Sequence, residues 1–251
     1  EAMRRAYYDR SQYLGDADFI SAPVQHLTSK AYAKELVSSI NLHHATDPTS
    51  LPTHESAKGE DTTHFSIIDK EGNRVAATLS INYPFGSGFV AKGTGVLLND
   101  EMDDFSAQAG SANAYGLIGN DANAIEANKR PLSSMTPTFI ENDNRLMIIG
   151  TPGGSRIITM VLLGILDFID GKDAQTIVSQ PRFHHQYSPN QIQFESTGFN
   201  SLELEQLQQR GHKLKVLNRQ YGNMQVIIQT KSPSQTSAAS DPRGEGFSSV
   251  R

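Results

Sequence analysis

Two consecutive threonines stand at the start of a short apolar segment, in the sequence DTTHFSIID (61–69). A threonine hydroxyl becomes an effective nucleophile only when a base accepts its proton. If the peptide bond before Thr62 or Thr63 is cut, the new α-amine has an ordinary pKa of about 7.7–8.0 and can accept the proton of the neighbouring hydroxyl. The alternation of apolar and polar residues from Phe65 onward predicts a strand. Spacing alone does not choose between the two threonines.

Two neighbouring glycines, in TPGGSRI, precede a long apolar segment that predicts a buried helix. Gly153 and Gly154 present backbone N–H groups without side-chain obstruction. At a helix N-terminus such groups suit an oxyanion. A phosphate site is less well supported because no lysine of a phosphate-binding loop follows.

The composition limits the classes of protein to which the chain can belong. It has 251 residues, 37% of them hydrophobic, enough for a sizeable core in one large domain or two small ones. A net charge of −5 gives no electrostatic basis for binding nucleic acid or an anionic membrane. The absence of cysteine excludes disulfides, thiolate metal sites and cysteine nucleophiles. The longest apolar run, MVLLGIL (160–166), is too short to span a bilayer.

Hydrophobic periodicity predicts the elements that must position these groups. Helices are predicted over 1–14 and 29–40, the second with Thr28 or Ser29 as N-cap. Turn signals and alternation predict the others: hairpins HFSIID/RVAATLSIN and MTPTFIEN/RLMIIGT, a buried helix ending at Gly171, a helix over 201–211, strands HKLKVLN and MQVIIQT, and a loop over the tail SAASDPRGEGFSSVR. They favour largely antiparallel sheets covered by helices, without βαβ regularity.

Two polar stretches interrupt these elements. Residues 41–61 contain two prolines and no periodicity, which predicts a mobile loop. Residues 106–130 are rich in small residues, asparagine and glycine, and a loop of that length is usually functional or disordered. The sequence starts within a helical pattern and without an initiator methionine. We therefore expect a fragment or a processed piece of a longer protein.

Six segments occur in an order that identifies a family. They are TTHFSIID, GVLLNDEMDDFS, NKRPLSSMTPT, GTPGGSRI, PRFHHQ and ASDPRG. Together they resemble the C-terminal part of a γ-glutamyltranspeptidase, one of the N-terminal-nucleophile hydrolases. The resemblance implies an α+β fold with a four-layer αββα sandwich. It also implies that 1–61 is the C-terminal end of the large subunit, that 62–251 is the small, catalytic subunit, and that the two form one structural domain.

The resemblance also implies which threonine reacts. The small subunit of the family starts with Thr-x-His-apolar-Ser, so His64 identifies Thr62 as the nucleophile and Asp61 as the residue before the cut. Ser80, which we expect across the hairpin from Thr62, matches a hydroxyl residue that bonds the nucleophile. Gly153 and Gly154 match the oxyanion hole in this family.

Further residues match the positions with which the family binds its substrate. Asn82, placed on the same strand face as Ser80, matches a ligand of the substrate α-amino group, as do Glu101 and Asp104. The serine pair of PLSSM matches the ligands of the substrate α-carboxylate, and the lid over the pocket is matched by 106–130. The residues that match substrate-binding positions are therefore Asn82, Glu101, Asp104, Ser133 and Ser134, with Tyr115 as the barrier residue of the lid. The family's carboxylate-clamping arginine has no match in Arg4, Arg5 or Arg10, so we expect it from outside this chain.

The resemblance implies no cofactor and no metal. The partners it implies are glutathione or another γ-glutamyl amide, with an amino acid, a peptide or water as acceptor, in a heterodimer that is periplasmic or secreted. The acidic run NDEMDDF lacks the glycine and spacing of an EF-hand, and His43, His44, His54, His184 and His185 have no metal-site spacing. Two alternatives remain open: an acylase of related fold that hydrolyses glutaryl-type side chains, and a non-catalytic fragment or binding module.

Overall fold

The computed structural model describes residues 1–47, 62–106 and 120–251. Its helices are α1 (Ala2–Tyr13), α2 (Val24–Leu27), α3 (Lys30–Ser38), α4 (Ile157–Ile169), α5 (Ala174–Ser179) and α6 (Ser201–Gln209). Its strands are β1 (Thr62–Ile68), β2 (Arg74–Ser80), β3 (Thr138–Glu141), β4 (Arg145–Gly150), β5 (Phe183–His184), β6 (Ile192–Glu195), β7 (Leu214–Leu217), β8 (Gln225–Lys231) and β9 (Ser234–Ser240). Short 3₁₀ turns cover Glu101–Asp104, Asp121–Asn123 and Gly154–Arg156.

The chain divides into two compact units. The first takes in the described residues of Glu1–Lys58, Glu101–Ser133 and Phe183–Leu217, and the second those of Gly59–Asp100, Ser134–Arg182 and Asn218–Arg251. Residues on the C-terminal side of position 61 therefore contribute to both units. The predicted subunit boundary between 61 and 62, and the single structural domain, stay predictions.

The first unit holds α1, α2, α3, α6 and a three-stranded sheet of order β5-β6-β7. Ser29, one of the two predicted N-caps, caps α3 by accepting a hydrogen bond from the Tyr32 N–H. Strands β6 and β7 are parallel and α6 connects them, so the described residues include one βαβ unit among largely antiparallel sheets. The sequence pattern hid this unit because β6 has only four residues, all of them buried, and so shows no alternation.

The second unit consists of three layers. Its central layer is an antiparallel sheet of order β3-β4-β8-β9, whose strand β4 is buried from Leu146 to Gly150. A side chain placed at Gly164 of α4 would meet Ile149, whereas one placed at Gly150 would meet the ring of His64 in β1. Neighbouring residues of a strand point to opposite faces. Helix α4 therefore covers one face of the sheet, and the β1–β2 hairpin lies on the other.

The core of the second unit lies between the sheet and the helices α4 and α5. Its most deeply buried apolar side chains include Ile149, Met160, Phe168, Val178 and Val226. Helix α4 ends where the predicted Gly171 takes a φ of +86°, a value that favours glycine. Strand β9 lies at the edge of the sheet and includes the SAAS segment that was predicted as loop. That prediction was wrong because small polar residues carry little strand signal, and pairing with β8 determines the structure there.

The β1–β2 hairpin turns its polar side toward the four-stranded sheet. Thr62, His64 and Ser66 alternate with Phe65 and Ile67, whose side chains are 42% and 48% exposed. On β2, Val75 and Leu79 lie on the same outer side. We call these four apolar residues the outer face of the hairpin.

Candidate active site

Thr62 is the first residue of β1, and its partner in the antiparallel register is Ser80, the last residue of β2. Their side chains point to the same side of the hairpin, and Thr62 Oγ1 lies 3.0 Å from Ser80 Oγ, so that either hydroxyl can donate. The Asn82 N–H donates to Ser80 Oγ over 2.9 Å. The predicted proximity of Thr62 and Ser80 is thus present in the structure, and a backbone N–H holds the serine hydroxyl in place.

Asn82 is not a strand residue, contrary to the prediction from period 2. Strand β2 ends at Ser80, and Asn82 has a φ of +72°, a left-handed conformation that asparagine tolerates better than most residues. Its side-chain Nδ2 donates to the Asp100 carbonyl over 3.2 Å, and the Tyr83 N–H donates to Asp100 Oδ1 over 3.1 Å. Asp100, which sequence reasoning missed, anchors the turn that presents Asn82.

His64 lies between the hairpin and the four-stranded sheet. Its ring is buried, with Nδ1 2.8 Å from Thr78 Oγ1 and Nε2 3.0 Å from Ser66 Oγ. It fills a notch left by the missing side chain of Gly150, the last residue of β4. Burial lowers the pKa of His64 to about 4, so the ring is neutral near pH 7. This contact fixes the distance between β1, which begins at Thr62, and the end of β4.

The loop after β4 contains the two predicted oxyanion glycines. Gly153 has a φ of +143° and Gly154 a φ of +56°, and the 3₁₀ turn that begins at Gly154 leads directly into α4. The prediction that a glycine turn opens this helix is confirmed. Both φ values are ones that favour glycine, so the backbone of this turn depends on the absence of side chains at these two positions.

A second loop supports the glycine turn from within the same unit. The Asn223 N–H donates to Thr151 Oγ1 over 3.2 Å. The guanidinium of Arg156 lies 4.9 Å from the ring centroid of Tyr221. Arg182, from the PRFHHQ segment, donates to the Tyr221 carbonyl. These contacts connect the turn to a neighbouring loop, a relation that the sequence did not reveal.

Asp241 is the centre of a buried ionic network behind that loop. Its carboxylate accepts hydrogen bonds from Arg182 and Arg243 and from the Met224 N–H. Asp241 and Arg182 are each only 2% exposed. The segments PRFHHQ and ASDPRG contributed to the resemblance, but nothing in their spacing predicts that they meet. Their pairing secures the loop that supports the glycine turn.

Two predicted substrate-binding segments belong to the first unit. Glu101 and Asp104 form a 3₁₀ turn, and Ser133 lies in an irregular segment. The buried side chain of Asn123 donates to the Asp104 carbonyl over 2.8 Å and accepts from the Leu132 N–H over 3.0 Å. Asn123 thus joins the segment of Asp104 to that of Ser133. Sequence reasoning missed it because one asparagine in a polar loop carries no distinctive signal.

Arg10 of α1 lies next to the same two segments. Its guanidinium donates to the Leu132 carbonyl over 3.5 Å. Burial lowers the pKa of Arg10, and this effect outweighs the opposing electrostatic effects of Tyr7 and Asp104. Asp104 therefore has a basic side chain near it. Ser134, the other predicted carboxylate ligand, is the first residue of the next segment of the second unit.

The remaining predicted residues divide into those outside the described residues and those with structural contacts. Asp61, Tyr115 and His54 lie outside the described residues. His184 is buried, with Nε2 2.7 Å from Gln186 Oε1, and burial is the main cause that lowers the pKa of His185 to about 3. His43 and His44 are exposed. Within 1–47, 62–106 and 120–251, the His, Asp and Glu side chains form no group of three that could hold a metal ion.

The chain is similar to known proteins over nearly its whole length. A family profile described as Gamma-glutamyltranspeptidase matches residues 1–250. The chain is 45% identical over 247 residues to the glutathione hydrolase proenzyme of Escherichia coli (strain K12), which covers 97% of this chain and 42% of that protein. It thus spans about two-fifths of the length of the curated relatives it matches.

Solved structures show the same similarity. The gamma-glutamyltranspeptidase from Pseudomonas nitroreducens complexed with L-DON is 42% identical, with a TM-score of 0.70, and the match covers 75% of this chain and 99% of that one. The cephalosporin acylase from Bacillus halodurans has a TM-score of 0.72, with 98% of this chain and 44% of that one covered. At 23% identity the acylase shows a shared fold alone. These matches confirm the predicted N-terminal-nucleophile hydrolase fold.

Proposed function

The chain belongs to the gamma-glutamyltranspeptidase family, and from that premise we propose that it carries the catalytic part of an enzyme that transfers γ-glutamyl groups. The donors are glutathione and other γ-glutamyl amides, and the acceptors are water, amino acids and peptides. The hydrogen bond between Thr62 Oγ1 and Ser80 Oγ at the start of β1 carries the proposal. It holds the hydroxyl of the proposed nucleophile at the position where a cut before Thr62 would leave an α-amine.

The first step is a cut between Asp61 and Thr62. Thr62 Oγ attacks the Asp61 carbonyl carbon, the C–N bond breaks, and the Asp61 acyl group passes to the oxygen as an ester while the nitrogen becomes an amine. Water then opens the ester and leaves Asp61 with a carboxylate and Thr62 with a free hydroxyl and amine. Residues 62–251 make up about three-quarters of the chain. The solved chain from Pseudomonas nitroreducens matches 75% of this chain with 99% of its own length. The two shares agree, which supports a boundary near residue 62.

In the transfer reaction, Thr62 Oγ attacks the γ-carbonyl carbon of the donor and its proton passes to the α-amine. The N–H groups of Gly153 and Gly154 donate to the oxyanion of the tetrahedral intermediate. The C–N bond of the donor breaks, the leaving amine takes the proton, and a γ-glutamyl ester forms on Thr62. Water or an acceptor amine then attacks this ester and restores the Thr62 hydroxyl. Ser80 orients that hydroxyl through its 3.0 Å contact.

The donor is bound through both groups of its α-carbon. Asn82, Glu101 and Asp104 hold the ammonium, and Ser133 and Ser134 hold the carboxylate together with an arginine from the rest of the protein. Within the first unit, the Asn123 side chain joins the 3₁₀ turn that carries Asp104 to the segment of Ser133, and this supports the proposal. Tyr115 is proposed as the barrier residue of a lid. We also place the enzyme in the periplasm or outside the cell, as a heterodimer formed from one precursor. The described residues include no helix with the length and apolar content to cross a bilayer.

A glutaryl-type acylase of the same fold is less well supported. Such an enzyme needs no ammonium ligands, and its likeness to this chain is one of fold alone. A non-catalytic module would leave the hydrogen bond between Thr62 and Ser80 without a chemical role.

The cut is tested by intact mass in a polypeptide that carries this chain together with the rest of the family's length. Thr62→Ala is expected to remain one polypeptide. The side chain of Thr63 points to the opposite side of β1, so Thr63→Ala is expected to be cut. Normal cutting of Thr62→Ala would show that the nucleophile is another residue.

The ammonium site is tested with Asp104→Ala on two anilides. Removing one partner of a desolvated charge pair costs about 2–5 kcal/mol. We therefore expect kcat/KM for a γ-glutamyl anilide to fall by roughly 30-fold or more, since each 1.4 kcal/mol is about tenfold. A glutaryl anilide, which lacks the ammonium, is expected to lose far less. Equal losses on both anilides would make Asp104 a structural residue and remove the argument for γ-glutamyl specificity.

A further inference from the structure

The side chain of Asn123 uses both ends of its amide to join two segments that are apart in sequence. Its Nδ2 donates to the Asp104 carbonyl over 2.8 Å, and its Oδ1 accepts from the Leu132 N–H over 3.0 Å. The residue is 6% exposed, so water cannot readily replace either hydrogen bond. Because the amide group is planar, it fixes the separation and the relative orientation of its two partners.

The backbone of Asn123 adds a third connection. Its carbonyl accepts from the Ser106 N–H over 2.9 Å, two residues after Asp104. The segment that carries Asp104 is therefore held by Asn123 at two points. Leu132, held by the Asn123 side chain, directly precedes Ser133 in the chain.

We propose that Asn123 is a positioning residue that sets the distance between the ammonium-binding and the carboxylate-binding segments. This inference rests on the proposed function, in which Asp104 and Ser133 bind those two groups. It makes the enzyme selective for donors whose ammonium and carboxylate are attached to one carbon, the class of γ-linked α-amino acids. The two groups then bind cooperatively, and neither group alone gives the full rate.

The physical basis is preorganisation. A donor of this class presents its two charged groups at a separation set by covalent geometry. A site that binds both has to hold its own groups within about 0.5 Å of the matching positions. A misplacement of about 1 Å can cost roughly 100-fold in rate. Without the Asn123 side chain, each segment keeps its own substrate-binding residues, but the distance between the two segments is no longer fixed.

The experiment uses four anilide donors and the complete, processed enzyme. They are γ-glutamyl, glutaryl without the ammonium, 4-aminobutyryl without the carboxylate, and butyryl with neither group. The coupling factor is the product of kcat/KM for the first and last donors divided by the product for the other two. The concentration of active enzyme cancels in this ratio, so partial misfolding of a variant does not change it.

The variants are Asn123→Leu, which has the same number of side-chain heavy atoms and the same branching without either hydrogen bond, and Asn123→Ser, whose hydroxyl is too short to reach both partners. Asn120→Leu is the matched control. The side chain of Asn120 also makes two hydrogen bonds, to the Gln12 carbonyl and the Ala122 N–H, but neither leads to a substrate-binding segment.

We expect the coupling factor to exceed one in the wild type and to fall by about tenfold or more in both Asn123 variants, in line with the cost of misplacement. The glutaryl and 4-aminobutyryl donors should keep most of their kcat/KM, and Asn120→Leu should keep the wild-type coupling factor. An unchanged factor in the Asn123 variants of an active enzyme would overturn this inference alone. A wild type that does not turn over the γ-glutamyl anilide would overturn the proposed function and the inference together.

Discussion

Replacing Gly150 with alanine tests whether the notch at the end of β4 positions the strand that begins at Thr62. A Cβ at this position would lie less than 3.0 Å from three ring atoms of His64. The ring is buried and is held by two hydroxyl groups, so it has little freedom to move aside. Either His64 leaves its place or β1 moves away from β4.

The magnitude follows from these contacts. Overpacking a well-packed core costs about 1–3 kcal/mol. Each hydrogen bond that the ring gives up, to Thr78 or Ser66, costs about 0.5–1.5 kcal/mol more. We expect Gly150→Ala to lower the free energy of unfolding by about 2–4 kcal/mol and to slow the cut before Thr62, since the strand that carries it shifts.

The assay is urea unfolding in a Thr62→Ala background, where we expect one uncut polypeptide, combined with a double-mutant cycle. If the ring causes the cost, His64→Ala relieves it, and Gly150→Ala should then cost less than about 1 kcal/mol in that second background. The rate of the cut is measured separately by intact mass with Thr62 present. An equal cost of Gly150→Ala with and without the His64 ring would refute the notch as the cause.

Three further substitutions or conditions test other parts of the structure. Gly153→Ala keeps its N–H but places a side chain at a φ of +143° and 2.5 Å from Met160 Cε, so it should displace the turn. If the N–H groups of this turn serve the oxyanion, kcat should fall by up to about 10²–10³, the cost of losing one such donor. Gly72→Ala, at a φ of +85° in open space, should leave kcat unchanged in the same assay. Asp241→Ala leaves buried guanidinium groups without their carboxylate and should lower the free energy of unfolding by about 3–5 kcal/mol. Loss of a more exposed ion pair costs at most about 1 kcal/mol. A decrease of that smaller size, measured by urea unfolding, would contradict the buried network. Burial lowers the pKa of His64 from 6.5 to about 4, so as the pH falls the unfolded chain takes up a proton at this residue before the folded chain does. The free energy of unfolding should therefore decrease between pH 6.5 and 4, and His64→Gln should show a smaller decrease. A pH dependence of His64→Gln identical to that of the wild type would exclude this ring as a source.

Local patterns predicted the elements and the pairing at the nucleophile. The alternation in β1 and the turn after it establish the hairpin, and its register then places Ser80 opposite Thr62. The glycine turn before α4 followed from two adjacent glycines and an apolar run. Each of these features depends on residues that are close in sequence, where period and turn chemistry carry information.

The features that sequence reasoning missed depend on distant contacts. Nothing in the polar loop around Asn123 indicates that its amide reaches both Asp104 and Leu132, and the ion pair of Arg182 with Asp241 joins residues 59 positions apart. Asn82 was placed on the strand because period 2 was continued past Ser80. The strand ends there because Asp100 holds the following turn through hydrogen bonds that no local pattern reveals.

The outer face of the hairpin has a consequence for how β1 tolerates substitution. At even-numbered positions from Thr62 to Ser66, side chains face the sheet and are constrained in size and hydrogen bonding, so changes there act on the chemistry at Thr62 or on the fit to Gly150. At the odd-numbered positions Phe65 and Ile67, the side chains are exposed apolar groups, so changes there alter the surface of the hairpin and not its fit to the sheet. Two classes of defect therefore alternate along β1 from His64 to Ile67. Variants at the even positions would slow the reactions of Thr62 or weaken the packing against Gly150. Variants at Phe65 or Ile67 would stay paired with β2 and would change solubility or self-association.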